Sequence, residues 1–357
     1  MTLKRRLCRI FLILLLFPPL LAAAAGWLIG PSFLHPIRRE LTAESIREGD
    51  STFSMLHALR QDFEVRARDG IRLRGWKVRP PNPNGSWVLV FHGVADNRMG
   101  VIGQAEMLLR QGYSVVMMDA RAHGSSEGPI ATYGWLERND TKVVVQELIN
   151  SEIARYMDQA TQAGRLVSSV ANTADLKRAV DLEHLYRGQP AHIFALGESM
   201  GAGIALQSAA ADPRIEGVVA EASFATLREA SYDYAGLRKS PLLGKTLFAP
   251  FSWTLVYRGE SLAGFPAAGV SPEAAVAERP FPVLIICDEE DVALPCRHSE
   301  RIYAAARGSK ELWRVPKAFH TAAIGYRPEE FRRRVIGFYE QVEQAQRSAN
   351  PNKVAGN

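Results

Sequence analysis

The run Gly197-Glu198-Ser199-Met200-Gly201 sets a serine between two glycines, with Ala202 and Gly203 immediately after. A serine hydroxyl is a weak nucleophile at neutral pH. It attacks a carbonyl only where a base takes its proton and an acid orients that base. The pattern alone decides little, because average composition yields Gly-x-Ser-x-Gly by chance in roughly one chain in ten of this length. The test is whether the chain supplies the partners. His320 stands in Lys317-Ala318-Phe319-His320-Thr321, and Asp291 lies between Cys287 and Pro295. Serine, acid, histidine is the chain order in which open α/β sheets assemble acyl-transfer chemistry. Ser199 is then the nucleophile, His320 the general base and Asp291 the orienting acid.

The acid has rivals. Asp288 and Glu290 are close neighbours of Asp291, and Glu221 follows the strand after the serine. Asp291 is preferred because Asp-x-x-Leu-Pro opens the next helix with the carboxylate at the loop tip. His92 and His123 precede the serine and have the wrong order for the base. His298 begins a helix and is expected to be exposed. Asp119, Arg121 and His123 read as a turn cross-linked by polar side chains. Two backbone N–H groups are candidates for an oxyanion hole. One is that of Met200, directly after the serine. The other is that of Val94, after His92 and Gly93 end an apolar run.

These residues need elements to hold them. Phe63 to Val78 alternates and is broken at Asp69-Gly70, a hairpin signal. Six apolar runs follow: Ser86–Phe91, Ser114–Asp119, Ala191–Gly197, Ile215–Ala222, Phe281–Asp288 and Glu311–Pro316. Several are nearly continuous hydrophobics, as strands buried on both faces must be. Helix-like stretches between them imply βαβ units with helices on both faces of a mostly parallel sheet. Ser199 falls between such a strand and a helix. In that sharp turn side chains at Gly197 and Gly201 would collide with the neighbouring strand and helix.

Two stretches interrupt the alternation. Asp140 to Gly188 reads as two helices with a turn between, either a lid element or a decorated crossover. Phe224 to Pro280 is rich in aromatics and reads as a cap over a site or as ordinary packing. The organisation expected is an anchor or signal segment over residues 1–37, a catalytic domain over 38–345 and a disordered tail over 346–357.

The chain has 357 residues, 47% of them hydrophobic, and a formal net charge of +5. That suits one large α/β domain. Lys4, Arg5, Arg6 and Arg9 account for four of the charges, and the remainder of the chain is close to neutral. Arg332, Arg333 and Arg334 form the one short basic run there and read as a solvated helix face. A nucleic-acid partner is not indicated. Ile10 to Gly30 carries no charge, is long enough to cross a bilayer, and has Trp27 where an interfacial aromatic belongs. Basic residues before it keep the N-terminus in the cytoplasm and export the rest. The same segment with Ala22 to Ala25 also fits a cleaved signal peptide. Cys287 and Cys296 either pair in an oxidising compartment or stay as buried thiols. No Cys or His spacing fits a zinc site, and no metal or organic cofactor is implied.

Taken together, Phe91–Asn97, Asp119–Ser126, Gly197–Gly203, Asp288–Pro295 and Ala318–His320 resemble the α/β-hydrolase superfamily. The likeness spans roughly Asp62 to Glu340. Within that superfamily the chain is similar to bacterial membrane-anchored hydrolases of the serine aminopeptidase and lysophospholipase-like group. In those relatives the acid motif usually reads His-Gly-x-x-Asp. Here Cys287-Asp288 replaces His-Gly and leaves Asp291 in register. The resemblance implies the α/β-hydrolase fold and a serine hydrolase of esters or thioesters, with a small-molecule or lipid acyl substrate. A peptidase on the same triad would need an acidic pocket residue for an α-amine. A non-catalytic binding protein would show a broken triad. Nothing in the sequence sets an oligomeric state.

Overall fold

The computed structural model describes residues 3–162, 188–236 and 240–349. The strands are β1 (Leu59–Arg66), β2 (Arg72–Arg79), β3 (Trp87–Phe91), β4 (Ser114–Met118), β5 (Ile193–Glu198), β6 (Gly217–Glu221), β7 (Val283–Asp288) and β8 (Lys310–Val315). The helices used below are α1 (Leu3–Leu34), α2 (Ala43–Met55), α3 (Ile102–Arg110), α4 (Glu137–Gln162), α5 (Met200–Ala211), α6 (Leu227–Ala235), α7 (Pro241–Lys245), α8 (Ala249–Ala263), α9 (Pro272–Glu278), α10 (Arg297–Ala305), α11 (Ala323–Tyr326) and α12 (Pro328–Ala349).

One sheet joins all the strands in the order β1-β2-β4-β3-β5-β6-β7-β8. β1 and β2 form the antiparallel hairpin expected at Asp69-Gly70, with Arg66 opposite Arg72 and Gly70 at φ 91°. From β4 to β8 every pairing is parallel. The apolar runs become these strands with ends moved by one or two residues. Their continuous hydrophobicity has a direct cause. Val88 and Val90 of β3 face one core with Phe194 and Leu196 of β5, while Trp87 and Leu89 face the other with Ile193 and Ala195. Side chains alternate along a strand, so a strand covered on both faces needs apolar residues at every position. Helices α2, α3 and α12 cover the first face, and α4, α5, α9 and α10 cover the second.

From β3 the chain steps to β4 on one side and then to β5 on the other. That reversal opens a crevice beyond the carboxyl ends of β3 and β5, where open α/β sheets place ligands. Val94 follows β3 and Ser199 follows β5.

The first half of the long crossover is a single helix, α4, which carries Val145, Leu148, Ile149 and Ile153. The second helix expected there, at Leu176, Ala179, Val180 and Leu182, lies outside the described residues. The last helix α12 runs to Ala349, past the tail boundary expected at residue 346. The 224–280 segment folds as α6 to α9 and builds its own apolar cluster from Phe224, Leu227, Leu255, Val256 and Phe265 with Leu34 of α1.

Leu16–Leu34 within α1 is long and apolar enough to cross a membrane, by length and composition. The later part of α1 lies along α8. A Cβ at Gly26 would stand 2.2 Å from the carbonyl oxygen of Phe251, so only glycine permits this approach. Thr254 Oγ1 donates to the Ala23 carbonyl at 2.8 Å, and Trp27 stacks on Tyr257 with ring centroids 6.3 Å apart.

Candidate active site

Ser199 sits alone between β5 and α5, at φ 53° and ψ −119°. A non-glycine residue at positive φ is strained by about 1–3 kcal/mol, which the surrounding packing must offset. The packing here leaves no other path. A Cβ at Gly197 would lie 2.4 Å from the Gly201 carbonyl oxygen, and one at Gly201 would lie 2.3 Å from that of Phe91. The strand, the turn and the helix therefore close on one another, and the hydroxyl is lifted above the sheet.

His320 lies in the loop after β8 and Asp291 in the loop after β7. The structure brings both to Ser199. Ser199 Oγ stands 2.9 Å from His320 Nε2, and His320 Nδ1 stands 2.6 Å from Asp291 Oδ2. A carboxylate only accepts, so the imidazole carries its proton on Nδ1 and offers the Nε2 lone pair to the serine. The other carboxylate oxygen, Asp291 Oδ1, accepts the N–H groups of Ala293 and Leu294 at 2.7 and 2.8 Å. Asp291 is buried and its orientation is set before any substrate arrives.

The rival acids are placed elsewhere. Asp288 Oδ2 accepts the N–H of Thr321 at 2.9 Å, and Glu221 Oε1 accepts that of Ala323 at 2.9 Å. Both hold the backbone that follows His320, while the ring nitrogens of His320 are taken by Asp291 and Ser199. Burial, reinforced by neighbouring carboxylates, pushes Glu221 and Asp288 above the ordinary carboxylate range. Glu290 lines the polar side of the site.

Glu198 was not singled out in the sequence, because the middle positions of Gly-x-Ser-x-Gly accept many residues. It is buried beside Ser199 and accepts from Gln104 Nε2 at 2.9 Å. Burial first, then the charge of Asp96, pushes its pKa up to about 8. The carboxyl beside Ser199 is thereby biased toward its neutral form.

His92 and Gly93 shape the loop after β3. The N–H of Ala120 donates to His92 Nε2 at 3.0 Å, so Nδ1 carries the proton and donates to the Gly93 carbonyl at 2.7 Å. Burial lowers the His92 pKa and keeps the ring neutral. The N–H of Val94 has no acceptor among the described residues, and that of Met200 is the first of α5, without an intrahelical acceptor. Asp119 accepts from Arg98 and from the Ser125 N–H, and Arg121 is fixed by Asp140 and Asp69. His123 packs edge-on against His92.

His298 corrects an expectation. It is buried, not exposed. Its Nδ1 accepts the Ala225 N–H at 3.2 Å and its Nε2 donates to Asp233 at 2.7 Å. A histidine at the first turn of a helix looks solvated in sequence. Here the 224–280 segment folds over it.

Two cavities meet at Ser199. One, of about 440 Å³, is lined by Met200, Phe224, Leu227, Leu255 and Leu294 and by Ile29 and Phe33 of α1. The other, of about 330 Å³, is lined by His320, Asp96, Glu198, Glu290 and Thr321. Val94, Tyr234 and Ser199 border both.

A family model described as the alpha/beta hydrolase fold matches residues 86–246. Among curated proteins the chain is 26% identical over 325 residues to the uncharacterized protein YqkD of Bacillus subtilis (strain 168), covering 88% of this chain and 93% of that one. It is 23% identical over 287 residues to the uncharacterized protein YfhR of Escherichia coli (strain K12), covering 78% and 80%. Among solved structures, the Pyrococcus furiosus esterase Pf2001 superposes with a TM-score of 0.60 at 22% identity, over 87% of this chain and 98% of that one. The esterase EaEST of Exiguobacterium antarcticum gives 0.51 at 15% identity, over 78% and 100%. At these identities the likeness to solved structures is one of fold.

Proposed function

We propose that this chain, a member of the α/β-hydrolase superfamily, is a serine hydrolase of carboxylic esters or thioesters. The observation that carries the proposal is the hydrogen-bonded chain Ser199–His320–Asp291 at the junction of two cavities. Ser199 Oγ attacks the acyl carbonyl as His320 Nε2 takes its proton. Asp291 stabilises the imidazolium that forms. The N–H groups of Val94 and Met200 hold the oxyanion. His320 then returns the proton to the leaving oxygen or sulfur, and an acyl-serine remains. Water, deprotonated by His320, attacks the acyl carbon and frees Ser199.

The two cavities support a division of the substrate into two halves. The leaving group must depart on the side from which His320 protonates it, which is the polar cavity. The acyl part then occupies the apolar cavity. An aminopeptidase needs an acid on that acyl side for the substrate's amine, and among the described residues none that lines the apolar cavity is acidic. Esters and thioesters are therefore preferred to peptides.

In this reading residues 38–345 form the catalytic domain and the 224–280 segment its cap. Residues 1–37 anchor the chain, with the catalytic domain on the extracytoplasmic side. The disulfide between Cys287 and Cys296 fits that compartment.

Labelling with a fluorophosphonate tests the chemistry. The wild-type chain is expected to label, and Ser199→Ala and His320→Ala to lose it. A folded wild type that does not label would overturn the proposal in favour of a binding protein on this fold.

A further inference from the structure

We infer that the N-terminal helix α1 is a wall of the acyl site, and that the acyl chain is long and comes from the bilayer in which α1 sits. This rests on the serine-hydrolase reading above and adds its substrate class.

The apolar cavity is not enclosed by the catalytic domain alone. Ile29, Ser32 and Phe33 of α1 line it together with Phe251 and Leu255 of α8, and Ser199 lines it too. The same turns of α1 are fixed to α8. Gly26 admits Phe251 and Thr254, Gly30 admits Arg258, and Phe33 packs at Gly259. The α1 helix is thus bound to the protein on one side and faces the acyl cavity with Ile29 and Phe33.

The surroundings belong to a membrane interface. Trp27, Trp253 and Tyr257 are exposed, although Tyr257 stacks with Trp27 and the Arg258 guanidinium lies 4.5 Å from the Trp27 ring. Exposed aromatics beside a guanidinium are the side chains that settle at the headgroup level. Leu242, Leu243 and Leu247, which lead into α8, are exposed as well. They stand toward the N-terminal end of α1, because α8 runs parallel to it, with Thr254 at Ala23 and Gly259 at Phe33. An apolar cavity whose wall is a membrane helix is open to acyl chains without their passing through water. A cavity of about 440 Å³ is also far larger than an acetyl group needs.

The polar cavity narrows the alcohol. Among the described residues, Asp96, Glu198 and Glu290 line it with no Lys or Arg, and Asp96 is paired with Arg39. A neutral polyol fits such a surface and a phosphate does not. The substrate class is a long-chain acyl ester of a neutral alcohol, held in a bilayer.

The test uses the full chain reconstituted in phosphatidylethanolamine and phosphatidylglycerol vesicles. p-Nitrophenyl palmitate and butyrate are compared for wild type, Ile29→Trp, which fills the cavity from α1, and Ile29→Ala, which removes the wall without crowding. Fluorophosphonate labelling of Ser199 is followed in parallel. The expected result is a palmitate-to-butyrate ratio of kcat/KM about tenfold lower in both variants, since single apolar contacts in acyl pockets carry that much discrimination. Retained labelling with an unchanged ratio would overturn the inference and leave the serine-hydrolase reading intact. Absence of labelling in wild type would remove that reading and this one with it. A second arm compares monopalmitoylglycerol in the vesicles with soluble palmitoyl-coenzyme A. Faster turnover of the glyceride supports the bilayer source, and equal or faster turnover of the thioester overturns it.

Discussion

Cys287 and Cys296 are joined across the loop that carries Asp291, with their Cα atoms 5.3 Å apart. The bridge ties the end of β7 to the start of α10 and leaves a short closed loop with the acid at its tip. Its Oδ1 is held by the N–H groups of Ala293 and Leu294 inside that loop.

Opening the bridge is therefore expected to act on both stability and rate. Closure of a loop this short contributes roughly 2–3 kcal/mol. Cys296→Ser, or reduction by dithiothreitol, should lower the melting temperature and also lower kcat, because Asp291 loses its fixed path. Thermal denaturation and ester hydrolysis, each with and without reductant, check this. Equal kcat in both states would mean that the backbone N–H groups alone hold the acid.

Asp291 and Glu221 should differ sharply when each loses its charge. Asp291→Asn is expected to reduce kcat by about 10⁴-fold, because the amide favours the wrong imidazole tautomer. Glu221→Gln keeps an acceptor for the Ala323 N–H and should reduce it by less than about tenfold. Steady-state kinetics of both variants decide which carboxyl orients His320. A larger loss in Glu221→Gln would reverse the assignment.

Glu198 predicts a pH dependence of both rate and stability. Its folded pKa of about 8 lies above that of an ordinary, unfolded glutamate. The unfolded chain therefore gives up this proton first, and the group's contribution to stability is lost progressively from about pH 4.5 upward. The loss is complete once pH exceeds the folded value near 8. Above that value a negative charge beside the oxyanion site should also slow acylation. Glu198→Gln removes both effects. Its melting temperature should gain on wild type between pH 5 and 8, and its kcat/KM should stay level where wild type falls. Paired pH profiles of the two proteins test this. Parallel profiles would locate the alkaline group elsewhere.

Asp233 on α6 accepts from His298 and Arg297 of α10, and so ties the 224–280 segment to the helix that follows β7. Asp233→Ala leaves both donors without their acceptor and should cost about 3 kcal/mol. Urea denaturation measures the loss, and fluorophosphonate labelling of the folded fraction should persist. A change near zero would show the segment to be held by its apolar cluster alone.

Much of this was legible in the sequence, for local reasons. Each parallel strand announced itself as an unbroken apolar run because both of its faces are covered. Asp69-Gly70 marked the hairpin because its turn needs a residue free to take positive φ. Gly197 and Gly201 marked the turn at Ser199 because nothing larger fits between β3, β5 and α5. The order of serine, acid and histidine was readable for a similar reason, since each follows the carboxyl end of its own strand.

Other features depend on which distant segments meet, and no period or spacing encodes that. Asp288, Glu290 and Asp291 are alike in composition and adjacent in sequence, and only the path of the loop after β7 turns one of them to the imidazole. His298 looked solvated until α6 closed over it. Ile29 and Ser199 are far apart in the chain, yet they line one cavity. The apolar run from residue 10 to residue 30 showed that α1 suits a bilayer. The packing of its glycine face on α8 decided that the same helix would also border the site.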